Sequence, residues 1–262
     1  KNQWPEQVHY RSDIQGGYLY LENDGFLFNL YDGKEFARYV QAHYDKSLPR
    51  NFDKLSWHSY KVTFNECNTE ALAKGTFETP EYYNYFLGND KTKWASHAKG
   101  FHRIEYKELY PGIDLNLYSK VFNLKYDFVV KAHADAQQIE LNYDGADDIA
   151  VKNDRLHIYT QVNHIIEDKP YAFQIIDGEK IEVQCKFKLK GTTVTFAFPK
   201  GYNHNYDLII DPTLMFATYS GSTANNFGYS ATFDSKGFLY SGSSVFGAGY
   251  PTVLGSYDVT FN

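Results

Sequence analysis

Apolar and polar residues alternate along most of this chain, from its first residues to about Asp211. A period of two is typical of β-strands with one buried and one solvated face, because successive side chains point to opposite faces of a sheet. Residues 122–130 show the pattern most cleanly, since every even position is apolar and the odd positions up to 127 carry Asn, Lys and Asp. The sequence therefore predicts an all-β fold.

The clearest hairpin and the clearest interruption both lie early in the chain. Residues 18–30 contain two apolar segments joined by Asn-Asp-Gly, a combination typical of tight hairpin turns. Residues 34–51 break the alternation, and their aromatic spacing fits a short amphipathic helix that stops before Pro49. A surface loop is the alternative for this second segment.

From residue 138 the predicted strands become shorter, and Asp-Gly and Lys-Gly turns separate them. Short strands at this spacing indicate an antiparallel β-sandwich or related layers. Alternation assigns inward-facing side chains to each of them, namely Ile139, Leu141 and Tyr143, Leu156 and Ile158, Phe173 and Ile175, the odd positions of 181–189, and Val194, Phe196 and Phe198. We therefore expect a sandwich-like N-terminal region.

After Thr213 the composition changes to Gly, Ser, Thr and aromatic residues. Segments 228–233 and 238–243 flank an Asp-Ser-Lys-Gly turn, as in the core of a β-propeller blade. One blade cannot bury its own faces, so this part is expected to be an incomplete propeller. The predicted organisation is an antiparallel β region at 1–145, a second β region at 146–213 that continues the first, and the first propeller repeat at 214–262.

Charge argues against a nucleic-acid partner, and hydropathy argues against a transmembrane segment. The chain has 26 Lys and Arg against 32 Asp and Glu, a formal net charge of −6, and its sequence holds no basic run. We therefore predict no nucleic-acid partner. The sequence has no stretch that is apolar and long enough for a transmembrane segment. It also has no signal peptide at its start, and we interpret Lys1 as the first residue of a processed or trimmed protein.

Two cysteines are too few for a disulfide scaffold, and the sequence leaves their bonding open. Cys185 shares its predicted strand face with apolar neighbours, which indicates a buried small hydrophobic residue. Cys67 has the opposite parity to Phe64 and is expected near a strand end. A bridge would require closely opposed Cβ atoms.

No motif of catalysis or metal binding stands out. The nine histidines include no His-Glu-x-x-His pattern, and a Gly-x-Ser-x-Gly elbow is absent. Asp144, Asp147 and Asp148 form an acidic turn, for which a calcium loop is the alternative, although alternating Asp and Asn ligands with a final Glu are missing. We predict a protein that is not an enzyme, with no catalytic residues, metal or cofactor.

The aromatic content is the feature that most favours binding, because exposed rings stack on sugars and anchor protein interfaces. Aromatic residues make up 18% of the chain, and the densest cluster supplies the candidate binding residues Tyr82, Tyr83, Tyr85 and Trp94. Alternation would bury about half of the rings in such a cluster, so core packing is the competing interpretation.

A succession of motifs resembles an N-terminal domain that precedes seven-bladed β-propeller repeats. The motifs, in chain order, are residues 81–89 (EYYNYFLGN), 109–115 (LYPGIDL), 124–130 (LKYDFVV), 134–139 (ADAQQI), 143–147 (YDGAD), 170–174 (PYAFQ) and 208–212 (LIIDP). This domain occurs in large surface proteins of gliding Bacteroidota that are exported by the type IX secretion system. The resemblance implies further blades and a sorting domain after Asn262, and it supplies no catalytic residues.

The resemblance implies a secreted protein on the extracellular face of the cell outer membrane. Its expected partners are the type IX translocon or other cell-surface proteins, with glycans as a further ligand class. The leading hypothesis is thus a structural and interaction protein in adhesion or gliding motility. The alternative is a carbohydrate-binding adhesin, and the third is a polysaccharide-degrading enzyme, since glycoside hydrolysis requires only two suitably spaced carboxylates.

Overall fold

The computed structural model describes residues 4–14, 16–44, 54–120, 123–212, 214–215, 226–233 and 239–245. The chain divides into two units, one formed by Lys1–Tyr31 with Trp57–Ala217 and the other by Asp32–Ser56 with Thr218–Asn262. Antiparallel strands dominate the described residues as a whole, which confirms the all-β prediction at the level of fold class. No helix in the described part of the chain is both long and apolar enough to span a membrane.

The described residues form twenty strands and one α-helix, together with two short 3₁₀ turns at Lys91–Lys93 and Ala136–Gln138. In chain order these elements are β1 (Tyr10–Ile14), β2 (Gly17–Glu22), β3 (Gly25–Tyr31), α1 (Gly33–Tyr44), β4 (Trp57–Phe64), β5 (Lys74–Tyr85), β6 (Ala95–Tyr110), β7 (Ile113–Lys120), β8 (Asn123–Val130), β9 (Leu141–Asp144), β10 (Asp148–Lys152), β11 (Arg155–Tyr159), β12 (His164–Glu167), β13 (Tyr171–Ile176), β14 (Glu179–Val183), β15 (Lys186–Lys190), β16 (Thr193–Ala197), β17 (Leu208–Asp211), β18 (Leu214–Met215), β19 (Asn226–Phe233) and β20 (Leu239–Val245).

Two seven-stranded sheets make up most of the first unit. The first sheet has the strand order β1-β2-β3-β4-β9-β16-β15, and the second has the order β14-β13-β17-β8-β7-β6-β5. The predicted early hairpin is confirmed, since β2 pairs with β3 from Gly17↔Leu30 to Glu22↔Gly25. A smaller sheet, β10-β11-β12-β18, completes the unit.

Side chains of the two large sheets contact one another and form a shared core. Phe26 of the first sheet meets Tyr126 of the second with ring centroids 6.0 Å apart, and Phe128 meets Phe196 at 6.1 Å. The even positions of β8 from Tyr126 onward are buried, as the alternation predicts. Burial of such rings removes large apolar areas from water and supplies most of the driving force for folding.

The predicted inward face of β13 is wrong. The buried residues are Ala172 and Gln174, whereas Ile175 is 47% exposed. The Gln174 side chain explains this parity, because its amide donates to the carbonyl oxygens of Asn203 at 2.8 Å and Tyr206 at 3.1 Å. A buried amide with satisfied hydrogen bonds costs little, so Phe173 turns to the outer face instead. The inward assignment of Ile181 is also wrong, since that side chain is exposed.

Left-handed residues close several tight turns of the first unit. Asn153 and Asp154 have φ values of 53° and 62° between β10 and β11. Asp177 and Gly178 do the same between β13 and β14, with φ of 51° and 85°. Asn, Asp and Gly tolerate this backbone region, so these turns fix the strand register.

The second unit contains the only α-helix of the described residues, which decides between helix and loop for the segment after residue 34. Asp32 caps α1, because its carboxylate accepts hydrogen bonds from the backbone N–H groups of Lys34 at 2.8 Å and Glu35 at 2.9 Å. The Glu35 carboxylate in turn accepts from the Ser56 backbone N–H at 2.7 Å. The predicted stop before Pro49 lies outside the described residues.

The second unit also contains the antiparallel pair β19 and β20. This pair lies where the sequence predicts two strands of a propeller blade. The predicted 234–237 turn and the glycine- and serine-rich run 216–222 lie outside the described residues.

Neither cysteine forms a disulfide. Cys185 is 1% exposed, as expected of a small buried hydrophobic residue, and burial raises the pKa of its thiol to about 12. Cys67 lies three positions after the end of β4 and is partly buried. Burial also raises the pKa of the Cys67 thiol, and the nearby Asp24 carboxylate adds to the effect.

Candidate functional site

A cleft of about 530 Å³ opens in the first unit between the N-terminal strand β1 and the long β5–β6 hairpin. We call it the aromatic cleft. Its floor consists of apolar side chains from the core, including Leu19, Leu21 and Leu117. Binding clefts typically combine such an apolar lining with a few polar groups that fix the orientation of a ligand.

Three aromatic side chains form the upper wall of the aromatic cleft. Trp4 and Tyr85 meet edge to face, with centroids 5.7 Å apart and ring planes at 73°. Tyr83 lies next to Tyr85, at a centroid distance of 6.5 Å, and remains 58% exposed. Ring faces that are held in place yet open to solvent are the surfaces on which sugar rings pack.

Tyr10 ties β1 to the opposite wall. Its hydroxyl accepts a hydrogen bond from the Gly75 backbone N–H at 2.9 Å, and its ring meets Phe101 edge to face at 5.8 Å. These two contacts join the outermost strand of the first sheet to the outer hairpin of the second.

Charged and polar groups surround the aromatic wall. Arg11 lies on β1 and pairs with Asp13 at 3.1 Å, while Lys99 and Arg103 lie on β6 across the cleft. His9 and His102 also line the cleft. The cleft thus offers hydrogen-bond donors on both sides of an aromatic wall.

Both long walls include a strand edge that has no partner strand among the described residues. Consecutive residues 9–13 and 98–104 line the cleft, so both side-chain faces of each segment border it. β1 is the outermost strand of its sheet, and within the described residues β6 pairs with β7 only from Arg103 onward. Exposed strand edges carry hydrogen-bonding groups that a ligand can use.

The structure brings two of the four predicted binding residues together. Tyr83 and Tyr85 line the aromatic cleft, whereas Tyr82 lies against His97 at a centroid distance of 4.6 Å and Trp94 lies beside Phe86 at 5.4 Å. Tyr82, Tyr83 and Trp94 are all exposed, which rules out core packing for these three rings.

Sequence reasoning missed Trp4, Tyr10 and Arg11. The segment that contains Tyr10 and Arg11, residues 8–14, alternates like an ordinary strand but has polar side chains at both parities, at His9, Arg11, Ser12 and Asp13. That composition is a signal of an edge strand with two accessible faces. It could have pointed to this wall of the cleft.

A second polar feature, the carboxyl group of Glu167, is enclosed between the large sheets. The Tyr126 hydroxyl donates to its Oε2 atom at 2.9 Å, and the Tyr143 hydroxyl donates to its Oε1 atom at 3.0 Å. Burial raises the pKa of Glu167, although both hydrogen bonds oppose the shift. The adjoining cavity of about 10 Å³ is far too small for a sugar, so this group belongs to the core.

Two histidines meet on the small sheet. His157 Nδ1 and His164 Nε2 are 3.0 Å apart, and the Tyr159 ring stacks on His164 with a centroid distance of 4.3 Å. Burial lowers the pKa of His164, and the nearby His157 and Lys152 lower it further. Within the described ranges, no group of three or more His, Cys, Asp or Glu side chains is arranged to hold a metal ion.

The fold and the cleft define a class, an antiparallel all-β domain with an open aromatic cleft at one edge. Residues 1–213 match the family described as a domain of unknown function (DUF7948), and the chain belongs to that family. No curated protein and no solved structure matches the chain. The matched region ends where the composition changes after Thr213.

Proposed function

We propose that this chain is part of an exported cell-surface interaction protein and that it binds carbohydrate in the aromatic cleft. The observation that carries the proposal is the cleft itself, where Trp4, Tyr83 and Tyr85 offer ring faces beside charged side chains. Glycan recognition requires aromatic faces that pack on sugar rings and polar groups that hydrogen-bond to sugar hydroxyls.

The proposed architecture has two parts. The two seven-stranded sheets, whose inner rings contact each other, form a sandwich-like N-terminal domain. Residues 214–262 form the first repeat of a β-propeller, supported by the pairing of β19 with β20 and by the glycine-rich composition. The sandwich would then carry the cleft at the cell exterior, and the propeller would be a separate part of the same protein.

Export through a type IX secretion system is supported by the motif succession from residues 81–89 to 208–212. Fractionation of the cells that produce the full-length protein tests this. We expect it in the outer-membrane or extracellular fraction, accessible to added protease. A protein found entirely in the cytoplasm would contradict both the surface location and a role in adhesion or motility.

Carbohydrate binding is tested by a glycan array with the full chain, followed by titration calorimetry of any hit. We expect Trp4→Ala and Tyr83→Ala each to weaken binding about tenfold, because stacking contacts contribute on the order of 1 kcal/mol. Tyr82→Ala is the matched control, since Tyr82 adjoins Tyr83 in sequence but does not line the cleft. An array without hits, or equal losses in all three variants, would refute the proposal.

A polysaccharide-degrading enzyme is the remaining candidate, because Asp13 and Glu81 both line the cleft. Two carboxylates across a glycosidic bond are sufficient for hydrolysis. Incubation with a polysaccharide panel distinguishes binding from hydrolysis. We expect no turnover, and turnover that disappears in both Asp13→Asn and Glu81→Gln would replace the binding proposal with an enzymatic one.

A further inference from the structure

Arg11 lines the aromatic cleft, and two aromatic rings hold its guanidinium group. The guanidinium carbon lies 5.8 Å from the ring centroid of Trp4, which also lines the cleft, and 4.7 Å from that of Tyr18, which lies outside the lining. Its side chain is 26% exposed. A guanidinium held against aromatic faces loses little further freedom when it binds a ligand, so Arg11 is preorganised.

Most N–H donors of the Arg11 guanidinium are available to a ligand. Among the described residues its ion-pair partner is Asp13, through one contact from Nη2 to Oδ1 at 3.1 Å, and the Asp13 side chain is 74% exposed. Exposed ion pairs of this kind contribute about 0–1 kcal/mol. A guanidinium carries five N–H donors in a planar fork that matches a carboxylate in bidentate geometry.

The opposite wall adds two further cationic side chains. Lys99 and Arg103 line the cleft from β6, and each is paired with an acidic side chain, Glu78 and Glu105, that lies outside the lining. A ligand carboxylate would compete with these two pairs, so the donors that the single Asp13 contact leaves on Arg11 are the better binding group.

The same cleft therefore combines a carboxylate-binding fork with platforms for sugar rings. We propose that the aromatic cleft selects glycans that carry carboxylate groups, of the uronic-acid type, with Arg11 binding the carboxylate while sugar rings pack on Trp4 and Tyr83. This inference rests on the proposed carbohydrate binding and specifies its ligand class. Arg11 would set specificity, whereas the rings would supply affinity that is common to many sugars.

Esterified sugars provide the matched test, because a methyl ester keeps the sugar ring and removes the charge. Calorimetry of the full chain with oligogalacturonate is compared with its methyl ester, and oligomannuronate with its ester. We expect each acid to bind at least about tenfold more tightly than its ester, as one charge-assisted bidentate contact provides. Arg11→Gln should abolish this preference, Arg11→Lys should retain part of it, and Tyr82→Ala should leave it intact.

The outcomes separate this inference from the proposed function. If acid and ester bind equally in the cleft, or if neutral glycans alone bind there, carbohydrate binding stands and the carboxylate preference is refuted. Equal Arg11-dependent binding of sulfated glycans or polyglutamate would show a general anion site and would also refute it. If no glycan binds at all, both proposals fail.

Discussion

The β5–β6 and β7–β8 hairpins belong to the same sheet and both contain aromatic residues, yet these residues have different surroundings. β7 and β8 pair over eight residues, from Ile113↔Val130 to Lys120↔Asn123, without a register shift. β5 and β6 pair with two register shifts, and Phe77 and His97 adopt positive φ values of 55° and 56°. The rings of β8 are buried, whereas most rings of β5 are exposed.

Ring content alone therefore does not assign a strand to the core. A regular strand between two neighbours aims alternate rings inward, where burial stabilises the fold. Bulges at the outer hairpin turn residues away from that pattern and leave rings at the surface. The exposed rings are therefore available for recognition.

The largest expected contrast concerns stability. Phe128→Ala should lower the free energy of unfolding by about 3–5 kcal/mol, because Phe128 is fully buried and the truncation leaves a cavity. Phe86→Ala is the matched change on the outer hairpin, where the ring is 55% exposed, and should cost less than about 1 kcal/mol. Chemical denaturation measures both values. Similar losses would contradict the division between structural and exposed rings.

Gly88, between β5 and β6, and Gly112, just before β7, differ in the same way, in how closely the backbone is packed. Gly112 and Gly88 have nearly the same φ, 73° and 72°, but a Cβ at Gly112 would approach the Ala134 Cβ to 2.7 Å, whereas a Cβ at Gly88 would meet nothing within 4 Å. Both Ala variants should lose about 1–2 kcal/mol from left-handed strain. Gly112→Ala should lose about 1–3 kcal/mol more from overpacking. If Gly112→Ala and Gly88→Ala lost the same free energy of unfolding, the turn before β7 would not be tightly packed.

Glu167 should make stability depend on pH. Its folded pKa lies above the ordinary value of 4.5, so the folded state binds more protons and stability falls as pH rises from about 4.5 through the folded pKa. The slope should reach at most about 1.4 kcal/mol per pH unit. Glu167→Gln should flatten this part of the profile, as followed by thermal unfolding between pH 4 and 9. If the slope of stability against pH were the same in Glu167→Gln, folding would not shift the pKa of Glu167.

The smallest expected effect is that of Tyr82→Ala. The ring is 51% exposed and stacks on His97 rather than on the core. We expect a change of no more than about 0.5 kcal/mol in unfolding free energy. A loss above about 2 kcal/mol, measured by denaturation, would mean that the outer hairpin depends on its exposed rings for its fold.

Alternation predicted the regular part of the fold because each side chain there follows the parity of its strand. It failed at β13, where the buried amide of Gln174 binds backbone carbonyls of the segment after β16. In the sequence, a polar residue that hydrogen-bonds to distant backbone groups cannot be distinguished from one that faces solvent. The alternation therefore predicts the wrong face for Phe173 and Ile175.

The candidate site was predictable only in part. Local aromatic density pointed to Tyr83 and Tyr85, which line the cleft. Trp4 and Arg11 lie beside these two residues because the N-terminal segment packs against the outer hairpin of the other sheet, where Tyr10 binds Gly75. No local sequence pattern predicts this long-range contact. Tyr82 and Trp94 share the same density but lie outside the cleft, since Tyr82 has the opposite parity to Tyr83 and Trp94 follows the 3₁₀ turn between β5 and β6.

Amide chemical-shift mapping of the full chain during titration with oligogalacturonate tests whether the aromatic cleft is the binding site. We expect shifts concentrated at residues 9–13 and 98–104 and at Tyr83 and Tyr85, and we expect Arg11→Gln to require about tenfold more oligogalacturonate for the same shifts. Shifts confined to the small sheet or to β19 and β20, or no shifts with any acidic or neutral glycan, would contradict the assignment of the aromatic cleft as the binding site.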